Sequence, residues 1–223
     1  MNEVIGDVIP LAVGIAISPI PIIAAILMLL SPQAKGTSVA FLAGWVLGVV
    51  IAVLIFTLLG ALIPSTDDDG PTPIVGTVKI VLGILLLLLA VVQWRKRPEP
   101  GTEAPLPKWM TAIDTIKPLT SLGLGAALAA LNPKNLMMAA TAGISIGSHG
   151  LTVPEELVPG AIFVAISIST VAVPVIAFLV ASEQMKAPLD RLRVWLIANN
   201  AAVMTVLLLV IGVVNIGKGI GSF

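Results

Sequence analysis

The chain has 223 residues, of which 57 % are hydrophobic and 11 % charged, against about 25 % charged in a soluble domain. Twelve Lys and Arg balance twelve Asp and Glu, so there is no basic surface for nucleic acid. There is no cysteine and one histidine, His149, which excludes thiolate chemistry and any His-cluster metal site or catalysis within one chain.

The composition is that of an integral membrane protein. A bilayer core about 30 Å thick takes about 20 apolar residues in a helix. Six segments supply them, at roughly 8–30, 38–63, 74–94, 118–147, 156–181 and 196–217. Period-two alternation is absent, so these are helices rather than barrel strands. The start, Met1-Asn2-Glu3 with Asp7 close behind, lacks the cationic region of a cleavable signal, and the apolar stretch that follows runs on to Leu30.

In chain order, the first segment contains Ile17-Ser18-Pro19-Ile20-Pro21. The second carries small residues every fourth position, Ala40, Gly44, Gly48 and Ala52, a stripe that permits close helix contact, within the monomer in preference to a dimer. The third holds Lys79 near one end, where Asp67, Asp68 and Asp69 are the expected partners. Residues 95–117 form a linker, flexible at Pro98-Glu99-Pro100-Gly101. In it, Trp109, Ile113 and Ile116 share a helical face, as do Met185, Leu189, Leu192 and Leu196 further on. Both stretches read either as short amphipathic helices on the membrane surface or as ordinary polar loops. The fourth segment contains Leu131-Asn132-Pro133-Lys134-Asn135. The sixth opens with Asn199 and Asn200, which either line a polar cavity or bond between helices.

The connections differ in charge. Residues 31–37, 95–117 and 182–195 together carry nine basic residues, whereas the two ends of the chain and residues 64–73 and 148–155 carry Lys218 alone. The positive-inside rule then predicts a multi-pass protein of the cytoplasmic membrane with both termini outside.

The segments also repeat. Ser18-Pro19 set over Asn132-Pro133 lays segments one to three on four to six, as residues 1–94 and 118–223. Three crossings per half invert the second copy. The predicted fold is therefore all-α, six transmembrane helices in two inverted three-helix repeats. Its first and fourth helices are broken at Ser18-Pro19 and Asn132-Pro133.

Proline removes a backbone donor and disfavours helix in the residue before it. Ser or Asn followed by Pro also starts a helix, with the side chain as cap. Two half-helices would thus begin near mid-membrane and aim their partial positive charge at one central site; a plain kink at Pro19 and Pro21 is the alternative. Lys134 adds a full charge there, or a neutral amine where burial depresses its pKa, and lies too deep in its span to snorkel easily. The candidate substrate-binding residues are Lys134, Asn132, Pro133, Asn135, Ser18, Pro19, Pro21, Asn199 and Asn200. None of the twelve acids lies deep in a span, Asp7 coming closest. Carboxylate-dependent proton or divalent-metal coupling is not expected, and neither is a cofactor.

At these residues the chain resembles the LysE exporter superfamily, with six helices, a Pro-rich break in the first and Asn-Pro-Lys in the fourth. It is most similar to the actinobacterial peptidoglycolipid-addressing and sulfolipid-addressing (GAP, Sap) proteins. There the breaks read Ser-Pro-x-Pro, as at Ser18–Pro21, and Asn-Pro-Lys-Asn, as at Asn132–Asn135. The likeness covers essentially the whole chain. The Pro-Gly-Pro of the amino-acid exporters is missing. The resemblance implies help in moving large glycolipids from the cytoplasmic membrane toward the cell envelope.

The first functional reading is a transporter or translocation factor for an amphiphilic, anionic cell-envelope glycolipid. A small-solute exporter is the second, and a non-transporting accessory subunit of a larger lipid exporter the third. An enzyme is not expected, because no nucleophile–base or metal constellation is visible. The expected partners are a membrane lipid or glycolipid and, in the accessory reading, a larger exporter; the sequence is also compatible with a homo-oligomer.

Overall fold

The computed structural model describes residues 1–63, 73–95, 97, 113 and 115–223. Among the described residues there are eight helices and no strand. They are α1 (Asn2–Ala16), α2 (Pro19–Leu29), α3 (Ala34–Gly60), α4 (Pro73–Arg95), α5 (Pro118–Ala130), α6 (Pro133–Gly147), α7 (Val153–Val180) and α8 (Ser182–Ile220). Four of these, α3, α4, α7 and α8, are long and apolar enough to cross a membrane. The α1–α2 pair, bent by 49°, makes a fifth span if counted as one. The chain is thus an all-helical, multi-pass membrane protein.

Eight helices stand where six segments were expected because the first and fourth segments are each cut in two. The cuts fall at the predicted prolines. Ser18 (φ −71°, ψ 110°) and Asn132 (φ −71°, ψ 119°) take the extended backbone that a following proline imposes, and Pro19 and Pro133 then open α2 and α6. The reverse difference occurs in α8. The stretch 182–195 is neither a separate surface helix nor a loop; it is the first part of one 39-residue helix. Leu189 and Leu196 are buried in the core and Met185 packs against it, whereas Leu192 is exposed. The apolar face therefore continues without a step into the span. Of the other amphipathic stretch, Trp109 lies outside the described residues, while Ile113 is buried and Ile116 packs on the core.

The small-residue stripe of α3 packs inside the chain. A Cβ added to Gly44 would meet the Leu122 carbonyl, and one on Gly125 the Phe41 carbonyl, so α3 and α5 touch backbone to backbone. α3 also packs along α6, and α7 packs on α1 and α2. α4 runs antiparallel along α8: Gly76 abuts Gly219 and Gly83 abuts Gly212. Apolar side chains cover the outside, among them Leu47, Ile51, Leu54 and Leu58 of α3 and Val206, Leu209 and Val213 of α8. They recur three or four residues apart, as on a lipid-facing helix surface.

The contacts sort the helix ends. Asp7, Lys79, Ser145 and Lys218 meet, which gathers the starts of α1 and α4 and the ends of α6 and α8 at one end of the bundle. The α2–α3 corner and the α7–α8 corner share a pocket at the other end.

Candidate functional site at the paired helix breaks

A break strands the last carbonyls of the helix before it. At the end of α1, the Ile17 N–H donates to the Val13 carbonyl at 2.9 Å and the Ser18 N–H to the Ile15 carbonyl at 3.1 Å. An unbroken helix would give the Gly14 carbonyl to the Ser18 N–H. Here Lys134 Nζ donates to it instead, at 2.7 Å. The Ala16 carbonyl accepts from Thr170 Oγ1 on α7 at 2.5 Å. At the end of α5, the Leu128 carbonyl would go to the Asn132 N–H in a continuous helix, but accepts from Asn135 Nδ2 at 3.0 Å. The first turn of α6 therefore supplies a donor to each broken end, and α7 a second one to the end of α1. A cation at the C-terminal end of α1 also suits the dipole of that helix.

The two helix starts are unequal. Asn132 Oδ1 accepts from the Lys134 N–H at 3.1 Å, the expected cap. Ser18 makes no such cap; its hydroxyl turns across the break and donates to Asn135 Oδ1 at 3.3 Å. Pro19 and Pro21 carry no N–H, so Ile20 alone of the first three residues of α2 has one to offer.

Ser18, Lys134 and Asn135 are thus brought together and are each 1–2 % exposed. Pro19 and Pro21 are buried beside them, Asn132 is half-buried and Pro133 is exposed. Asn199 and Asn200 do not join the group through any hydrogen bond. Asn199 Nδ2 donates to the Trp195 carbonyl of its own helix at 2.8 Å. Asn200 Oδ1 is buried without a partner, and among the described residues neither side chain bonds to another helix. Among the described residues no carboxylate pairs with Lys134.

A second charged cluster was not foreseen. Asp7 is 8 % exposed. It accepts from Lys79 Nζ at 2.8 Å, Lys218 Nζ at 2.6 Å and Ser145 Oγ at 2.7 Å. Lys218 Nζ also donates to the Gly6 carbonyl at 3.0 Å. Lys79 therefore pairs with Asp7; Asp67–Asp69, its expected partners, lie outside the described residues. Asp7 lies near the start of α1, at the mouth of the span, and is nonetheless buried; two ammonium groups and a hydroxyl offset the cost of removing the carboxylate from water. The signal was in the sequence: Asp7, Lys79 and Lys218 are isolated charges in apolar surroundings, and such charges seek one another.

Both clusters fall in a chain that matches a known family. The family model for Sap, sulfolipid-1-addressing protein, covers residues 8–221. The chain belongs to that family. No curated protein and no solved structure matches it. In this Sap-family chain the matched stretch takes in both breaks, Lys134, Lys79 and Lys218, and begins one residue after Asp7.

Proposed function

We propose that this chain is a transporter or translocation factor that moves an anionic, amphiphilic cell-envelope glycolipid out of the cytoplasmic membrane. One observation carries the anionic part. Lys134 is 2 % exposed, stands at the second position of a half-helix, and among the described residues has a backbone carbonyl rather than a carboxylate as its partner. An ammonium offers three donors, and an anionic headgroup brought to the break would supply the missing countercharge. Membership of the Sap family supports a lipid cargo. On this reading the protein works without catalysis, and the glycolipid is its principal partner.

The same reading takes α1–α2, α3 and α4 as one three-helix repeat and α5–α6, α7 and α8 as its inverted copy, in the manner of LysE-type exporters. Packing supports it: α3 lies on the broken pair of the second half as α7 lies on that of the first, and α4 and α8 lie on each other. The charge count supports both termini outside.

The test is envelope-lipid display in cells, with mass spectrometry of lipids that co-purify with the protein. Lys134→Met is expected to reach the membrane at normal abundance, lose its co-purifying acidic lipid and abolish display. Lys134→Arg should keep part of the activity, since charge survives while geometry changes. Full display by Lys134→Met at normal abundance would overturn the proposal.

A further inference from the structure

At the end of the bundle opposite Asp7, the α2–α3 corner and the α7–α8 corner enclose an open pocket of about 660 Å³. That volume falls in the range of small-molecule sites, about 300–1,000 Å³, and suits a sugar-sized headgroup. Lys35 stands on one wall and Lys186 on the other, with Glu183 as the only acid in the lining among the described residues. Glu183 bonds Lys186 at 2.8 Å, which leaves Lys35 without a countercharge among the described residues. α3 and α8 both begin at the pocket, and neither has a side-chain cap bond. Their positive ends therefore add to the two lysines. Lys35 sits in the first turn of α3, where a cation opposes the dipole of its own helix, a placement that an anion beside it would relieve.

The remaining lining mixes polar Ser31, Gln33 and Ser182 with apolar side chains. Leu29, Leu30 and Phe178 line the pocket. Next to Phe178, Leu179 and Val180 are exposed at the end of α7. An amphiphile seated here would place its headgroup between the lysines and its chains along α7.

We infer that this pocket is the loading site for the anionic headgroup of a lipid from the adjacent leaflet. The inference rests on the lipid reading proposed above and adds the point of entry. α2, 11 residues long, runs from the pocket to the break, so a loaded headgroup stands about 16 Å from the Lys134 centre along one helix.

The chain has no native cysteine, so Gln33→Cys places a single thiol in the pocket wall. The full chain is reconstituted in phosphatidylcholine nanodiscs containing either sulfated galactosylceramide or its unsulfated parent. Alkylation of the thiol by uncharged N-ethylmaleimide is timed, with His149→Cys as control at the other end. The sulfated lipid is expected to slow alkylation at Gln33→Cys several-fold, and the parent lipid to leave it unchanged. Adding Lys35→Gln and Lys186→Gln should weaken the protection about five-fold per lysine. Equal alkylation rates with both lipids, while native mass spectrometry still finds the sulfated lipid on the protein, would overturn the pocket and leave the lipid reading standing. Failure of the wild-type chain to retain the sulfated lipid at all would overturn both.

Discussion

Asp7 holds three elements to the start of α1, so its removal should be felt across the bundle. Removing one partner of a buried ion pair costs about 3–5 kcal/mol, because the charge left behind is unpaired. Two features set the cost here at the lower bound. The Lys218 side chain is 33 % exposed and regains water, and Asp7→Asn keeps the size of the side chain and one acceptor oxygen. Lys79, with an 8 % exposed side chain, has no such relief. Asp7→Asn is therefore expected to cost about 3 kcal/mol, most of it the desolvated Lys79 ammonium. Lys79→Met should cost less, since Asp7 keeps Lys218 and Ser145. The double variant should be more stable than the two single losses predict, by at least about 1 kcal/mol, because no charge is then stranded at α4. The assay is equilibrium unfolding of the purified protein in mixed micelles, titrated with dodecyl sulfate and followed by circular dichroism. A loss under about 0.5 kcal/mol for Asp7→Asn, or strict additivity in the double variant, would refute the reasoning.

Three further outcomes follow from the geometry. Asn132→Ala removes the cap of α6 and should cost about 1 kcal/mol, whereas Ser18→Ala, which loses one long bond and no cap, should cost about half of that; the same unfolding titration ranks them. Gly44→Leu drives a side chain into the Leu122 carbonyl and should separate α3 from α5, at a cost of at least about 1–3 kcal/mol, read as a fall in membrane abundance against an unchanged Gly6→Leu, whose Cβ meets nothing. Single cysteines at His149 and Lys35, both exposed, should label from opposite sides of the membrane with an impermeant reagent; labelling of both from one side would remove the six-crossing reading.

The helix breaks were legible because proline acts locally: Pro19 and Pro133 forbid the same bonds in any surroundings. The α3 stripe was legible for a similar reason, since close approach needs absent side chains. The donors that repair the breaks were not. Lys134 meets Gly14, and Thr170 meets Ala16, across more than a hundred residues, and no local pattern encodes such a pairing. Lys79 shows the same distance effect. Asp67–Asp69, closer in sequence, were the expected partners and lie outside the described residues; the partner the structure shows, Asp7, is 72 residues away and was not expected. The continuity of α8 through Pro188 was also hidden, because charge in 182–195 reads as a loop until the burial of Leu189 and Leu196 is seen.

Lys134 carries the functional proposal, so its loss must not simply unfold the protein, and the structure allows the balance to be worked. Lys134→Met strands the Gly14 carbonyl, a buried acceptor whose orphaning costs about 1–3 kcal/mol. It also removes a buried ammonium, which insertion scales charge at about 2.5–3.5 kcal/mol in mid-membrane. The two terms are of similar size and opposite sign. The Gly14 carbonyl has in addition a local remedy: the Ser18 N–H, now on Ile15, is the donor an unbroken helix would give it. Net stability should therefore change by less than about 1 kcal/mol, while the only buried cation at the breaks is lost among the described residues. Unfolding titration beside lipid display separates the two roles. A Lys134→Met variant that unfolds as readily as Asp7→Asn would mean that the lysine is held there to close α1, and the case for an anionic cargo at the breaks would fall with it.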